Sequence, residues 1–395
     1  MDRRLNSSIL DAKKKINIAN TANKMKIGIL TLPLYANYGG NLQAYALMTI
    51  LKKFGHEAWL IDPRNRIPVW FVPLRFIRRF FLKYIGCRNV SVTKAFDAHA
   101  MDFIAEHIRP KTERLRPNFQ LKDQATRHSF DAIIVGSDQV WRTRYTTNIE
   151  DYFLGFLGNN KKCLRISYAA SFGTDEQQFT PEQAKTCAAL LKRFSAVSVR
   201  ELSAVALCRE YFGIEAVHVL DPTLLLDPQD YLQLVPNAVT AKPEAGRLFT
   251  YLLDHDPVKM EVLDKIVGQT GFSPFDVSGP VTKKSVQKPA VMPPVEKWIA
   301  GFRDAEFVFT DSFHGCVFSI LFNKPFIAFG NLVRGLARFE SLLNTFKLRS
   351  RLVGSVEEAT SELINKPISW QESNLILAEM RKLSFDFLQN ALTDK

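Results

Sequence analysis

The chain alternates short apolar runs with amphipathic stretches, and this alternation predicts an α/β protein. Residues 26–32 form an apolar run, residues 41–54 carry apolar side chains at helical spacing, and residues 58–62 are apolar again. This order is typical of a strand–helix–strand unit of the Rossmann type with a parallel sheet. Further apolar runs of strand length lie at 131–141, 165–173, 196–201, 217–223, 247–253, 306–310 and 325–329.

The length of 395 residues exceeds what one ordinary hydrophobic core holds, so two domains are expected. A polar, proline-containing stretch near 228–246 predicts a linker. We therefore predict two Rossmann-like domains, 25–232 and 233–395, with a crevice between them and a last helix, about 371–390, that crosses back to the first domain. Residues 1–24 contain no apolar signal region, and Met25 directly precedes the first strand, so a disordered or non-native leader is expected.

Most of the predicted strands end in Ser, Asp, Gly or Arg. Because the carboxyl ends of parallel strands share one edge of a sheet, these side chains are expected to converge on the crevice. The clearest case is 307–322, where an apolar run ends at Asp311 and Ser312 and His314 opens a helix-like run. A helix start offers N–H groups to an anion, and histidine can carry a proton near neutral pH. The alternative is an ordinary capped helix beside a core histidine.

The charge of the chain favours anionic partners. The net charge is +12 and the pI is about 9.4. No recognised DNA- or RNA-binding module is present, so nucleic acid is not expected. Residues 69–85 have a basic amphipathic pattern, in which Arg75, Arg79 and Lys83 share one stripe with Arg78 beside it. This pattern predicts either a helix in the interface of an anionic membrane or an ordinary packed helix.

The expected compartment and metal content are inferred from sequence patterns that are absent. No apolar run is long enough to span a bilayer, so we expect a cytoplasmic protein, located at the inner face of the membrane where residues 69–85 bind lipid. The five cysteines include no CxxC pair, and the seven histidines show no HxH or HExxH spacing. No disulfide framework and no metal site are therefore expected, and a reducing compartment fits.

Six short motifs occur in order along the chain: Asn37-Tyr-Gly-Gly-Asn-Leu-Gln-Ala-Tyr45, Val135-Gly-Ser-Asp-Gln-Val-Trp141, Tyr168-Ala-Ala-Ser-Phe-Gly173, Ser198-Val-Arg-Glu201, Leu220-Asp-Pro-Thr223 and Thr310-Asp-Ser-Phe-His-Gly315. In order and spacing they resemble the polysaccharide pyruvyl transferase family, over about residues 25–350. The resemblance implies a fold similar to GT-B glycosyltransferases, with the site between the domains. It also implies transfer of pyruvate from phosphoenolpyruvate, a co-substrate used without a cofactor, to two hydroxyls of one sugar as a cyclic ketal. The implied acceptor is a sugar unit of a bacterial exopolysaccharide or capsule, often lipid-linked.

Ketal formation from an enol phosphate requires a proton for the enol CH2 and cations for the phosphate and carboxylate. His314 is the candidate acid, and binding the donor phosphate as a cation is its alternative role. Arg200 is the candidate donor anchor, with a structural ion pair to Glu201 or Asp221 as the alternative. Asp138 is the candidate acceptor of a sugar hydroxyl proton, or otherwise it binds that hydroxyl or caps a helix.

Other residues are assigned to one of the two substrates. Gly39 and Gly40 predict an anion nest for the donor, unless they form a flexible loop. The acceptor side of the crevice is assigned to five residues, Asn41, Gln43, Ser137, Ser171 and Asp311.

One departure from the family concerns the donor. Many members carry Arg two residues before the motif histidine, where this chain has Ser312. We expect Ser312 to remain in the donor site and Arg334 and Arg338, four residues apart on one helix face, to supply the missing cation. The alternative is a solvated helix face or an ion pair with Glu340.

Three other functions fit parts of the pattern. A GT-B-type glycosyltransferase that uses a nucleotide sugar has the same architecture, and so does a non-catalytic protein of glycan assembly. A dinucleotide oxidoreductase would use the first strand–helix–strand unit and Asp62, but the missing G-x-G-x-x-G fingerprint counts against it.

Overall fold

The computed structural model describes residues 24–35, 37–63, 97–113, 120–146, 148–176, 178–237, 239, 246–254, 256–280, 291–330 and 335–393. Three features of the sequence analysis lie outside these ranges. They are the leader up to residue 23, the basic segment 69–85 and Arg334.

Two separate sheets organise the described part of the chain. The first contains six parallel strands in the order β2-β1-β3-β4-β5-β6. The second contains six strands in the order β12-β11-β10-β7-β8-β9, all parallel except β9. The strands are β1 (Lys26–Leu30), β2 (Glu57–Ile61), β3 (Ala132–Val135), β4 (Leu164–Ala170), β5 (Ala196–Val199), β6 (Val217–His218), β7 (Gly246–Tyr251), β8 (Ser273–Asp276), β9 (Gly279–Pro280), β10 (Phe307–Thr310), β11 (Phe326–Phe329) and β12 (Leu352–Val353).

Helices connect most of these strands, as a parallel sheet requires. In the described ranges they are α1 (Tyr38–Lys53), α2 (Ala98–His107), α3 (Gln120–His128), α4 (Pro181–Leu191), α5 (Leu202–Phe212), α6 (Pro228–Leu232), α7 (Pro257–Thr270), α8 (Val295–Asp304), α9 (Phe313–Leu321), α10 (Ala337–Thr345), α11 (Ser361–Asn365) and α12 (Trp370–Thr393). None of them combines the length and the apolar composition that crossing a bilayer requires. The predicted fold class, two Rossmann-like α/β units, is confirmed.

Each sheet reverses its strand order at one point. In the first sheet the reversal lies between β1 and β3, and in the second between β7 and β10. Doubly wound sheets bind ligands outside the carboxyl ends of the strands at such a reversal. The Asn37 and Asp138 motifs follow β1 and β3, and the Asp311 motif follows β10. The sequence motifs therefore lie at both reversal points.

Helix α1 begins three residues earlier than its apolar pattern predicts. Asn37 caps it, because the Asn37 side chain accepts a hydrogen bond from the backbone N–H of Gly40. Gly39 and Gly40 consequently lie in the first helical turn. The alternative interpretation, a flexible loop before the helix, is wrong.

One continuous hydrophobic core extends from the first sheet to the second. It includes residues of β1 and α1 as well as residues of α8, α9 and β10. At the junction, Tyr38 stacks on Trp298 with ring centroids 5.4 Å apart, and its hydroxyl donates to the backbone carbonyl of Pro293. Buried aromatic contacts of this kind hold the two units in one arrangement.

The last helix, α12, packs back on the first unit. Ser384 Oγ accepts a hydrogen bond from the backbone N–H of Leu220, and the Arg381 guanidinium forms an ion pair with Asp227 at 2.7 Å.

The first part of the predicted linker near 228–246 is a helix in the structure. Residues Pro228–Leu232 form α6, and Tyr231 is fully buried. The domain boundary at 232/233 stays a prediction, placed between the last strand of the first sheet and the first strand of the second.

Candidate active site

The candidate site lies where the starts of α1 and α9 meet. His314, in the first turn of α9, packs on Gly39 in the first turn of α1. The contact is so close that a β-carbon on Gly39 would lie 1.9 Å from His314 Nδ1. Two helix N-termini, one from each unit, therefore converge on one place, and their positive ends favour an anion there.

Asp221 is the centre of a buried charge cluster beside this contact. Its Oδ2 lies 2.7 Å from Arg200 Nη1 and 3.7 Å from His314 Nε2, the second being an ion-pair distance longer than a hydrogen bond. Its Oδ1 accepts hydrogen bonds from the hydroxyl and the backbone N–H of Thr223, at 2.6 and 3.0 Å. Burial alone would raise the pKa of Asp221, but His314, Arg200 and Thr223 lower it well below its usual range. The carboxylate therefore remains ionised beside the Arg200 guanidinium and the His314 imidazole.

Arg200 is held rigidly but keeps unused donors. Its guanidinium stacks over the Phe313 ring at 4.6 Å, and Nη2 lies 3.6 Å from Asp138 Oδ1. Neither Nε nor Nη2 has a hydrogen-bond partner among the described residues. Burial would lower the pKa of Arg200, but Asp221, Asp138 and Glu201 outweigh it and raise the pKa. Arg200 therefore forms the alternative ion pair with Asp221, and its Nε and Nη2 remain available to a ligand.

Asp138 presents its carboxylate at the edge of this cluster. Its backbone has φ = +73°, a left-handed conformation that Asp adopts more readily than most residues. Oδ1 accepts from the backbone N–H of Gln139 at 2.8 Å, and the side chain is 11% exposed. Within the described ranges, no hydrogen bond engages Oδ2. Asp138 can therefore accept a hydrogen bond from a ligand beside Arg200.

Gln43 does not line the crevice as the sequence predicts. Its amide is fully buried, with Nε2 donating to Thr31 Oγ1 and the Gly40 carbonyl, and Oε1 accepting from the Ser137 N–H. Gln43 therefore fixes the start of α1 against the ends of β1 and β3. Ser137 is also fully buried, and its hydroxyl lies within hydrogen-bond distance of Asp221 Oδ2 and the Ala169 carbonyl.

The side chain of Asn41 also faces inward. It is fully buried, and Nδ2 donates to the Tyr35 carbonyl at 3.1 Å. In the described part of the chain, Oδ1 finds no hydrogen-bond partner. The amide thus lies directly beneath the loop that carries Tyr35.

Ser171 belongs to a loop that Glu201 organises. Glu201 Oε1 accepts hydrogen bonds from Ser171 Oγ and from the backbone N–H groups of Phe172 and Gly173, at 2.8 to 3.0 Å. Both Ser171 and Glu201 are completely buried. Ser171 is therefore a structural residue, contrary to its prediction as an acceptor contact.

Asp311 is likewise turned away from the crevice. Its Oδ1 accepts from the Leu253 N–H at 2.6 Å, and its Oδ2 pairs with the buried ammonium of Lys259 at 2.9 Å. Burial would lower the pKa of Lys259, but Asp311 and Asp256 raise it. The contacts of Asp311 with Leu253 and Lys259 tie the loop after β7 and the start of α7 to the end of β10. Ser312 is the N-cap residue of α9, and its side chain makes no capping hydrogen bond.

Arg338 lies where the missing donor cation is expected. Gly335 has φ = +90° and α10 begins at Ala337. Arg334, the predicted partner of Arg338 on one helix face, lies outside the described residues, so the shared face stays a prediction. The Arg338 guanidinium lies 5.5 Å from the centroid of the Phe313 ring, on which Arg200 also stacks. Burial and the charge of Arg200 lower the pKa of Arg338 to about 10, so it stays cationic at neutral pH.

Sequence reasoning missed Arg142, which adds a third guanidinium to this region. It is buried, its Nη1 donates to Gln139 Oε1 at 2.7 Å, and its charge acts on Arg338. The available signal was its position directly after the Val135–Trp141 motif, at the carboxyl edge of β3. Among the described residues, no three His, Cys, Asp or Glu side chains are grouped so that they could hold a metal ion.

The groups of this site, Arg338 excepted, lie within one family match. The model of the polysaccharide pyruvyl transferase family matches residues 37–332. The chain belongs to the polysaccharide pyruvyl transferase family. In this pyruvyl transferase family member, the matched segment contains Gly39, Asp138, Arg200, Asp221 and His314. No curated protein matches the chain.

Solved structures show which fold this polysaccharide pyruvyl transferase family member has. A UDP-GlcNAc 2-epimerase from Neisseria meningitidis has 12% identity and a TM-score of 0.51, with 93% of this chain and 100% of that chain covered. A structure described as a UDP-N-acetylglucosamine 2-epimerase from Listeria monocytogenes has 11% identity and a TM-score of 0.51, with 90% and 91% covered. Both support a GT-B-like pair of Rossmann-like units.

Proposed function

We propose that this protein transfers pyruvate from phosphoenolpyruvate to two hydroxyls of one sugar unit as a cyclic ketal, in the assembly of a bacterial exopolysaccharide or capsule. The observation that carries the proposal is the buried Arg200–Asp221–His314 cluster between two helix starts. It combines an anion site with a proton donor, and both are required by an enol phosphate substrate.

The donor fits this cluster by charge and by hydrogen bonding. Phosphoenolpyruvate carries a carboxylate and a phosphate, and Arg200 offers Nε and Nη2 in one plane, which suits two oxygens of either group. The first turns of α1 and α9 supply further N–H groups for the other anion. Arg338, 5.5 Å from the Phe313 ring on which Arg200 also stacks, adds a second positive charge.

The reaction divides among three side chains. The His314 imidazolium protonates the enol CH2, which becomes a methyl group, and positive charge develops on the adjacent carbon. One sugar hydroxyl forms a C–O bond to that carbon, phosphate leaves, and the second hydroxyl closes the ketal. Asp138 accepts the proton of an attacking hydroxyl. In the net reaction one hydroxyl proton ends on the new methyl group and the other leaves with phosphate. The Asp221 carboxylate, 3.7 Å from Nε2, lies beside the imidazole during these steps.

The acceptor in this proposal is a sugar or a lipid-linked oligosaccharide, met in the cytoplasm at the inner face of the membrane. Residues 69–85 contain four Lys or Arg and no Asp or Glu. Each cation near an anionic surface contributes about 1 kcal/mol to membrane binding. This segment is our proposed peripheral contact with anionic lipid.

The reaction is tested by incubating the purified protein with phosphoenolpyruvate and a panel of lipid-linked and aryl glycosides. We expect phosphate release that requires both substrates, persists in chelator, and accompanies a pyruvylated product in mass spectrometry. The same panel with nucleotide sugars tests the glycosyltransferase alternative. Transfer from a nucleotide sugar, with none from phosphoenolpyruvate, would overturn the proposal. Binding of neither donor would favour a non-catalytic role in glycan assembly.

Arg338 provides a sharper test of donor binding. We expect Arg338→Gln to raise the half-saturating phosphoenolpyruvate concentration at least tenfold, because a hydrogen bond to a charged group contributes ~1.5–3 kcal/mol. Half-saturation by the sugar should change little, and Arg338→Lys should restore part of the donor affinity. Arg351→Gln is the matched control, since Arg351 is equally buried but donates to the carbonyls of Leu363 and Lys366. Unchanged donor saturation in Arg338→Gln would place the second cation elsewhere.

A further inference from the structure

Two exposed tyrosines follow neighbouring strands of the first sheet. Tyr35 is 52% exposed and Tyr145 is 40% exposed, and no other Tyr, Trp or Phe of the described residues is so open to solvent. Tyr35 follows β1 and Tyr145 follows β3, and these strands are hydrogen-bonded neighbours at the point where the first sheet reverses its order. Both rings therefore emerge at the same edge, where a ligand site is expected.

Contacts within the protein position the Tyr35 backbone and the Tyr145 ring. The carbonyl of Tyr35 accepts hydrogen bonds from the Asn37 N–H and from Asn41 Nδ2, at 2.6 and 3.1 Å. The Tyr145 ring lies 4.8 Å from the guanidinium of the buried Arg142. An exposed aromatic ring beside a ligand site offers that ligand an apolar face.

Asp138 joins this pair to the charge cluster. The loops that carry the two tyrosines both contact the residues beside Asp138. Thr31, in the loop of Tyr35, donates to the Ser137 carbonyl at 2.9 Å, and Arg142, on which the Tyr145 ring lies, donates to Gln139 Oε1 at 2.7 Å. Asp138 Oδ1 is engaged by Gln139 and Arg200, whereas Oδ2 accepts no hydrogen bond from the described residues. The tyrosines and Oδ2 together offer apolar faces next to a hydroxyl acceptor.

We propose that Tyr35 and Tyr145 form the acceptor subsite, in which a pyranose ring lies against the aromatic faces and one hydroxyl donates to Asp138 Oδ2. A pyranose has an apolar C–H face and a rim of hydroxyls, which matches amphipathic rings beside a carboxylate. Binding of the sugar at this subsite is independent of the proposed function, and only its role in holding the acceptor rests on that function. It makes Tyr35 and Tyr145 residues that bind the sugar, distinct from the donor cluster of Arg200 and His314.

The test measures sugar binding and turnover separately. The probes are methyl hexopyranosides, because a methyl aglycone, unlike an aryl one, cannot stack on the tyrosine rings. Their binding is measured by saturation-transfer NMR in the absence of phosphoenolpyruvate. Tyr35→Ala and Tyr145→Ala should each weaken sugar binding by about tenfold, whereas the Phe variants stay within a few-fold, since the ring is retained. Tyr211→Ala on α5 is the control for loss of a tyrosine away from the crevice.

In kinetics with phosphoenolpyruvate, the Ala variants should raise half-saturation by the sugar by the same factor and leave donor saturation unchanged. Tyr-dependent sugar binding in a protein that does not use phosphoenolpyruvate would support the subsite while the proposed donor fails. The contrary outcome is that both Ala variants remain active and their half-saturating sugar concentration equals that of the Tyr211→Ala control. That result would overturn the subsite and leave the proposed reaction standing.

Discussion

Replacing His314 by Gln should lower the turnover by ~10² or more while the half-saturating phosphoenolpyruvate concentration stays within a few-fold, because general acid catalysis contributes ~10²–10⁴ in rate. Gln keeps a polar side chain of similar length but cannot transfer a proton. His314 is suited to that transfer because Nε2 lies 3.7 Å from the ionised Asp221 and has no hydrogen-bond partner among the described residues. The measurement is steady-state phosphate release at varied donor concentration.

His56→Gln is the matched control for this experiment. His56 is also buried, but it accepts a hydrogen bond from the Met25 N–H at the far end of β1, away from the cluster. Its replacement should leave turnover nearly unchanged. If His314→Gln instead loses donor affinity and retains most of its turnover, His314 binds the phosphate as a cation, and another group protonates the enol carbon.

Much of the fold could be predicted from the sequence because it depends on local patterns. Apolar runs of strand length alternate with helical spacing, and parallel strands require helical connections. The convergence of Arg200 and Asp138 on one edge follows from the same reasoning, since both come directly after strands of one sheet. The structure places them 3.6 Å apart, from Nη2 to Oδ1.

The direction of each polar side chain could not be predicted in this way. Ser171 and Asp311 follow strands as Asp138 does, but each has a nearby partner that turns it inward, Glu201 and Lys259 respectively. Those partners are separated from them in sequence by 30 and 52 residues. A strand-end position therefore indicates the edge of the sheet but not whether the side chain faces a ligand.

The contact between the two units could not be predicted from the sequence either. Asp221 follows β6 of the first sheet and His314 follows β10 of the second, so their pairing depends on how the second unit docks on the first. The same docking explains why Gly39 is required. The sequence offered an anion nest or a flexible loop at Gly39, whereas the structure shows a glycine that makes room for an imidazole.

Gly39→Ala should therefore inactivate the protein almost as fully as loss of His314. The added β-carbon would lie 1.9 Å from Nδ1 and 2.3 Å from Cγ, so the buried ring must leave its present position beside Asp221. We expect turnover to fall by ~10² or more, because the displaced imidazole no longer protonates the donor. Overpacking of this kind also lowers the free energy of unfolding by about 1–3 kcal/mol.

A double substitution distinguishes displacement of His314 from general damage to the fold. In the His314→Gln background, Gly39→Ala should add little further loss of turnover, because residues that act through one contact are strongly coupled. Gly268→Ala is the control for adding a methyl group to a helical glycine, since nothing lies within 4 Å of its β-carbon position in α7. That variant should keep full turnover and gain about 0.5–1 kcal/mol of stability. Additive losses in the double variant, with thermal unfolding lowered in proportion, would show that Gly39 supports the fold of α1 and does not act through His314.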